Sequence, residues 1–137
     1  MRVKKDRIII DTNLWISFLL TKDFSRLDKP FSDHSIVLLF SQELLDEFIE
    51  VAQRPKFKQY FSLIDLQELL MLISQKAIFT SVISSVTACR DNKDNFLLSL
   101  ANDGKATHLI TGDKDLLEMK VFGRTRILTF TEYLADK

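Results

Sequence analysis

Three aspartates of this chain stand where buried structure is otherwise apolar. Asp11 ends the run Ile8-Ile9-Ile10, Asp113 follows Leu109-Ile110-Thr111-Gly112, and Asp94 shares a helical stripe with Leu97, Leu98 and Ala101. Carboxylates gathered at such positions repel one another and lose hydration, so either their pKa values rise or they hold a cation. Donors that are all oxygen point to Mg²⁺ or Mn²⁺, one ion or two, rather than to zinc. Water on such an ion loses a proton more easily and can attack a phosphodiester. His34 and His108 lack zinc-ligand spacing and read as ordinary loop and strand-start residues. No glycine-rich phosphate loop is present, and Cys89, the single cysteine, has no histidine near it in sequence to activate it.

Each acid also has a plainer explanation. Asp11 could cap a helix that starts near Asn13. Asn13 is a candidate donor to a neighbouring carboxylate, and Thr111 is placed in the same supporting shell. Asp94 could serve the dipole at a helix start, but Asp91, three residues earlier, is the better cap and leaves Asp94 for a site. Asp113 and Asp115 belong to a Gly-Asp-Lys-Asp turn, and a turn alone would use those residues; Asp113 is nearer the strand end. Glu43, Asp46, Glu47 and Glu50 make one helix acidic. Glu43 and Glu50 point away from its apolar stripe, whereas Glu47 and Asp46 flank it on opposite sides, and wheel geometry does not choose between those two.

These side chains need a scaffold that converges on them. The pattern predicts strands at Arg7–Asp11, Ile36–Phe40, Ala77–Ile83, Thr107–Thr111 and Arg126–Phe130. Helices are expected from Leu14 through Leu19, from a Ser41 cap to about Gln53, over Leu63–Lys76, over Asn92–Asp103 with Gly104 as the stop, and around Asp115–Met119. Thr131 is expected to cap a last turn. Thr21–Ser35 reads as a loop containing Pro30, Lys56–Phe61 as a basic-aromatic connector, and Ser84–Arg90 as a polar linker. Short apolar strands alternating with helices imply a parallel sheet covered on both faces, an α/β fold. In such sheets the ligand site lies beyond the carboxyl ends of the strands, where strand order reverses. Asp11 and Asp113 both sit at carboxyl ends and are expected to be neighbours.

The chain has 137 residues, 46% hydrophobic and 28% charged, which suits one globular domain spanning 1–137. Scarce glycine and proline argue against an all-β fold. No apolar run reaches membrane-spanning length, so no membrane partner is expected. A lone cysteine forms no internal disulfide and fits a reducing cytoplasm. The net charge of zero gives no broad grip on nucleic acid, yet an acidic cluster balanced by bases elsewhere has the same sum, and a bound metal inverts the local sign.

Taken together, these motifs resemble the PIN-domain ribonucleases over nearly the whole chain. Ile9-Ile10-Asp11-Thr12-Asn13 resembles the family's opening strand and first acid. Glu47 in Leu44-Leu45-Asp46-Glu47-Phe48 matches its helical glutamate, which selects Glu47 over Asp46. Asp94 in Lys93-Asp94-Asn95-Phe96-Leu97-Leu98 matches the third acid, and Asp113 in Thr111-Gly112-Asp113-Lys114-Asp115 the fourth. The Asp91-Asn92-Lys93-Asp94 stretch is similar to a subgroup of toxins from toxin–antitoxin pairs, the VapC-like proteins. The resemblance implies a three-layer α/β/α fold with four to five parallel strands, and a metal-dependent endoribonuclease. It also implies a homodimer, commonly held inactive by a small antitoxin. Asp91 and Asp115 are secondary acids.

The expected chemistry is hydrolysis of RNA. Asp11, Asp94 and Asp113 hold Mg²⁺ or Mn²⁺, and Glu47 completes the shell through water or orients the attacking water. Arg54, Lys56 and Lys58, interleaved with Phe57 and Tyr60, are candidates for strand contact; a solvated connector explains the same stretch. Two rival classes are a silent binding module that kept the fold and a phosphoryl-accepting signalling domain. The first gains nothing from buried like charges. The second wants adjacent acids after its first strand and an acceptor aspartate at a mid-chain strand end. Here Thr12 and Asn13 follow Asp11, and the strand ending at Ile83 leads into serine.

Overall fold

Ile8, Ile9 and Ile10 are all buried, as is every residue from Ile36 to Phe40. Successive strand residues point to opposite faces, so strands buried at every position are covered on both sides. The computed structural model describes residues 5–21, 32 and 34–136. In chain order its elements are β1 (Asp6–Ile10), α1 (Thr12–Thr21), β2 (Ile36–Phe40), α2 (Gln42–Ala52), α3 (Pro55–Lys58), α4 (Leu63–Lys76), β3 (Ala77–Phe79), α5 (Asn92–Gly104), β4 (His108–Ile110), α6 (Lys114–Met119), β5 (Val121–Phe122), β6 (Thr125–Leu128) and α7 (Phe130–Ala135). The expected loop Thr21–Ser35 lies mostly outside the described residues.

The sheet runs β3-β2-β1-β4-β6-β5. All neighbours are parallel except β5 and β6, which form an antiparallel hairpin. The order turns at β1: β2 and β3 lie on one side of it, β4 and β6 on the other. That turning point sets the carboxyl ends of β1 and β4 side by side, with Ile10 opposite Ile110 and the Asp11 N–H donating to the Ile110 carbonyl at 3.0 Å.

Among the described residues the sheet therefore has the five parallel strands expected and a sixth, antiparallel one. The extra one, β5, is two residues long and turns through Gly123 at φ 58°, too short to leave a periodic pattern. β3 stops at Phe79 rather than Ile83, and β6 spans Thr125–Leu128 rather than Arg126–Phe130. The connector after Pro55 contains one helical turn. The last helix is capped by Thr129, not Thr131: the Thr129 hydroxyl accepts from the Glu132 N–H while the Glu132 carboxylate accepts from the Thr129 N–H. Gly104 does not stop α5 but completes it, and Lys105 takes the left-handed conformation at φ 54°. Glycine serves close approach instead, since a Cβ at 104 would lie 3.0 Å from Leu39 Cδ1. The Ser41 cap is as expected, its hydroxyl accepting from the Leu44 N–H at 3.1 Å.

Candidate metal centre

Asp11 leaves β1 into the start of α1, half-buried. Its Oδ2 accepts the Thr111 hydroxyl at 2.8 Å, and its Oδ1 faces the Asn13 backbone N–H at 3.4 Å. Thr111 is thus the side chain that orients Asp11. Asn13 contributes its main-chain N–H to Asp11, and its exposed side chain lines the cleft. Burial raises the Asp11 pKa, opposed by these donors and assisted by the Asp113 charge.

Asp94 is 5% exposed although it lies in the first turn of α5. The cap is Asp91, whose carboxylate accepts from the Lys93 N–H at 2.8 Å. Freed from capping, Asp94 faces the acids. Burial first, then the charges of Asp113, Asp91 and Asp11, push its carboxyl up to about 6. Asp113 follows β4 and caps α6 by accepting from the Asp115 N–H at 2.8 Å, while its own N–H donates to Thr111 Oγ1 at 3.0 Å. One hydroxyl, Thr111, therefore ties two acids from two strand ends.

Asp94, Asp113 and Asp115 each offer an oxygen within 4.8 Å of the others. Asp11, Glu47, Asp91, Asp94 and Asp113 line one cleft of about 150 Å³, with Asn13, Arg54 and Lys56 on its walls. Asp115 groups with Asp94 and Asp113 without lining the cleft, whereas Asp11 lines the cleft without belonging to that trio. Glu47 is half-buried at the rim; Asp46 is exposed and occupied by Gln42 at 2.9 Å. Arg54 lines the cleft but is held by Glu50 at 3.1 Å, and the Lys56 ammonium lies 4.9 Å from the Phe57 ring centroid. Lys58 is not in the cleft; it lines a separate apolar hollow with Phe61 and Leu63, because the turn of α3 carries it round to the other side.

Lys93 was not among the expected site residues. Its ammonium is 3.6 Å from Glu47 Oε1, and it lines the same cleft. The signal was a lone cation immediately before Asp94. The donor set suits a hard dication: every candidate ligand is a carboxylate, and burial among like charges disfavours ionisation of Asp94, which a nearby positive charge would offset.

An α/β fold with acids converging at the carboxyl ends of β1 and β4 defines the class. The sequence matches the PIN domain family over residues 7–115, and the chain belongs to that family. PIN domains are generally nucleases and typically use divalent metals. The chain is also 30% identical over 120 residues to an uncharacterized protein of Methanocaldococcus jannaschii, covering 85% of this chain and 76% of that one. No solved structure matches it significantly. Among the described residues, no helix is long and apolar enough to cross a membrane.

Proposed function

We propose that the protein is a metal-dependent endoribonuclease and the toxin of a toxin–antitoxin pair, working in the cytoplasm. The observation that carries the chemistry is Asp94: a buried carboxyl held among three other acids at a helix start that Asp91 already caps. A structural role would not gather those charges.

Asp94, Asp113 and Asp115 are the closest donors for Mg²⁺ or Mn²⁺, with Asp11 and Glu47 beside them. Such an ion supplies Lewis-acid stabilisation of charge growing on phosphate oxygens and makes water easier to deprotonate. The chain's residues do the rest. Thr111 keeps Asp11 and Asp113 in fixed orientation. Asp94 retains its proton below about pH 6 in the metal-free cleft and gives it up when a cation is taken. Lys93 neutralises Glu47 and, with Arg54 and Lys56, provides the positive rim a phosphate backbone needs.

The partners we propose are an RNA strand, a small antitoxin and a second copy of the chain. Eight of the nine large apolar side chains exposed among the described residues fall between Tyr60 and Ile83, on and beside α4, which supports a protein-binding face there.

The test is cleavage of a labelled RNA by the purified chain with Mn²⁺, with Mg²⁺ and with chelator. Metal-dependent internal cuts are expected, and Asp11→Asn should abolish them while leaving the far-UV spectrum intact. Cleavage by Asp11→Asn at the wild-type rate counts decisively against the reading. Binding of RNA without any cleavage favours the silent module, and labelling by acetyl phosphate favours the phosphoryl acceptor.

A further inference from the structure

Residues 83–89 run beside α5 without joining the sheet, so their backbone groups need other partners. The partners are side chains on one stripe of α5. Asp103 Oδ2 accepts from the Ile83 and Ser84 N–H groups at 2.7 and 2.9 Å. The Ser84 hydroxyl donates to Asp103 Oδ1, and Asn102 Nδ2 donates to Ser84 Oγ at 2.9 Å. Ser99 Oγ accepts from the Val86 N–H at 3.0 Å and donates to the Asn95 carbonyl at 2.9 Å. Asn95 grips both backbone groups of Cys89, its Oδ1 accepting from the N–H at 2.7 Å and its Nδ2 donating to the carbonyl at 2.8 Å. Positions 95, 99 and 102–103 recur at helical spacing, so α5 supplies what a neighbouring strand would.

The two ends of this strap differ in what they touch. The Asp103 end lies about 14 Å along the helix from Asp94, at 1.5 Å per residue. The Cys89 end lies two residues before Asp91 and beside the acids. There the Cys89 thiol also reaches Met119 Sδ at 3.7 Å, on the helix that Asp113 caps and whose first turn holds Asp115. Cys89 is therefore the joint between α5, which carries Asp94, and α6, which carries Asp115.

We propose that Asn95 is a positioning residue for the acidic centre: by clamping Cys89 it sets the spacing between Asp94 and the pair Asp113 and Asp115. This rests on the metal-centre reading above. It predicts that the two ends of one strap have separable effects. Asn95→Ala should weaken Mn²⁺ binding about tenfold, the size expected when a residue that orients ligands is lost. Asp103→Asn removes the far anchor and should lower the melting temperature comparably while leaving Mn²⁺ affinity within about twofold of wild type.

Mn²⁺ affinity is read by paramagnetic resonance on the full chain well below each variant's melting temperature, with thermal melts in parallel. Asn95→Ala binding Mn²⁺ as tightly as wild type, or both variants weakening it equally, overturns the proposal. Should Asn95→Ala not fold, Ser99→Ala keeps a good helix former and removes the Val86 anchor. A fall of about threefold is then expected, and an unchanged affinity overturns the proposal. No Mn²⁺ binding by wild type overturns the metal-centre reading itself, and the proposal with it. Wild-type binding with unaffected variants overturns only the role of Asn95.

Discussion

Asp94 and Asp103 sit on the same helix, nine residues apart, and their carboxyls are driven in opposite directions. Asp94 is pushed up to about 6 by burial and by the charges of Asp113, Asp91 and Asp11. Asp103 is pulled down to about 2 by the Ser84 hydroxyl and the Ser84 and Ile83 N–H groups. The acid that holds the fold together is surrounded by donors. The acid at the cleft is surrounded by acids. A carboxylate whose oxygens are already engaged by its own chain stays charged but has few lone pairs left for a ligand, and one that lacks such donors costs stability until a ligand comes.

The largest expected effect follows from breaking the unsatisfied end. Asp94→Asn should reduce metal-dependent RNA cleavage by about a hundredfold or more, in the range for losing one preorganised charge-stabilising group. The same substitution should stabilise the metal-free protein at neutral pH, because it removes a carboxylate that ionises against its neighbours. An upward shift from 3.8 to about 6, at about 1.4 kcal/mol per pH unit, corresponds to a gain on the order of 3 kcal/mol. A variant that is inactive and also less stable at pH 7.5 in a thermal melt would show that Asp94 is structural.

The pH dependence of stability should separate the two ends next. The folded-state pKa of Asp94 lies above its unfolded value of 3.8, so its contribution is fully present below about pH 4 and is lost as pH rises through about 6. That of Asp103 lies below the same unfolded value, so its contribution is present above about pH 4 and is lost as pH falls through about 2. In urea melts of the metal-free protein, Asp94→Asn should flatten the decline between pH 4 and 6, and Asp103→Asn the decline below 4. Saturating Mn²⁺ should reverse the first slope and leave the second unchanged. Identical profiles for both variants would mean the two acids do not differ as described.

Asp103→Asn at neutral pH should cost on the order of 1 kcal/mol, below the roughly 1.5–3 kcal/mol usual for hydrogen bonds to a charged group because water screens this partly exposed carboxylate, with RNA cleavage unchanged. This end of the helix was also the harder to read. Asp11, Asp94 and Asp113 stand out in the sequence because each interrupts a local apolar pattern, and Ile36–Phe40 followed by Ser41 announces both a buried strand and the cap after it. Asp103 and Asn95 interrupt nothing. Their partners lie 19 or 20 and 6 residues away, in a segment without periodicity, so only the folded arrangement reveals what they hold. Lys105 fails in the same way: nothing in its side chain announces a left-handed φ, and Gly104 next to it is the residue a sequence rule selects. The cleft was legible in its acids and less so in its supports. That the Thr111 hydroxyl donates to Asp11 follows from the register between β1 and β4, which the sequence does not display.

The smallest effect should come from Gly104→Ala, at the satisfied end, and its sign is informative. Alanine in place of a helical glycine ordinarily stabilises by up to about 1 kcal/mol, through lower backbone entropy in the unfolded chain. Against this, the new Cβ would lie 3.0 Å from Leu39 Cδ1, and Leu39 is wholly buried in a strand whose five residues are all buried. A side chain packed on every side cannot retreat by a few tenths of an ångström without displacing its own neighbours, and such overpacking costs about 1–3 kcal/mol. The expected net result is a loss on the order of 1 kcal/mol in the urea midpoint, with Mn²⁺ affinity and cleavage as in wild type, because the strain falls at the end of α5 remote from Asp94. A gain in stability would show that Leu39 yields, that glycine at 104 is not required by close packing, and that this end of the helix is looser than the donors around Asp103 imply.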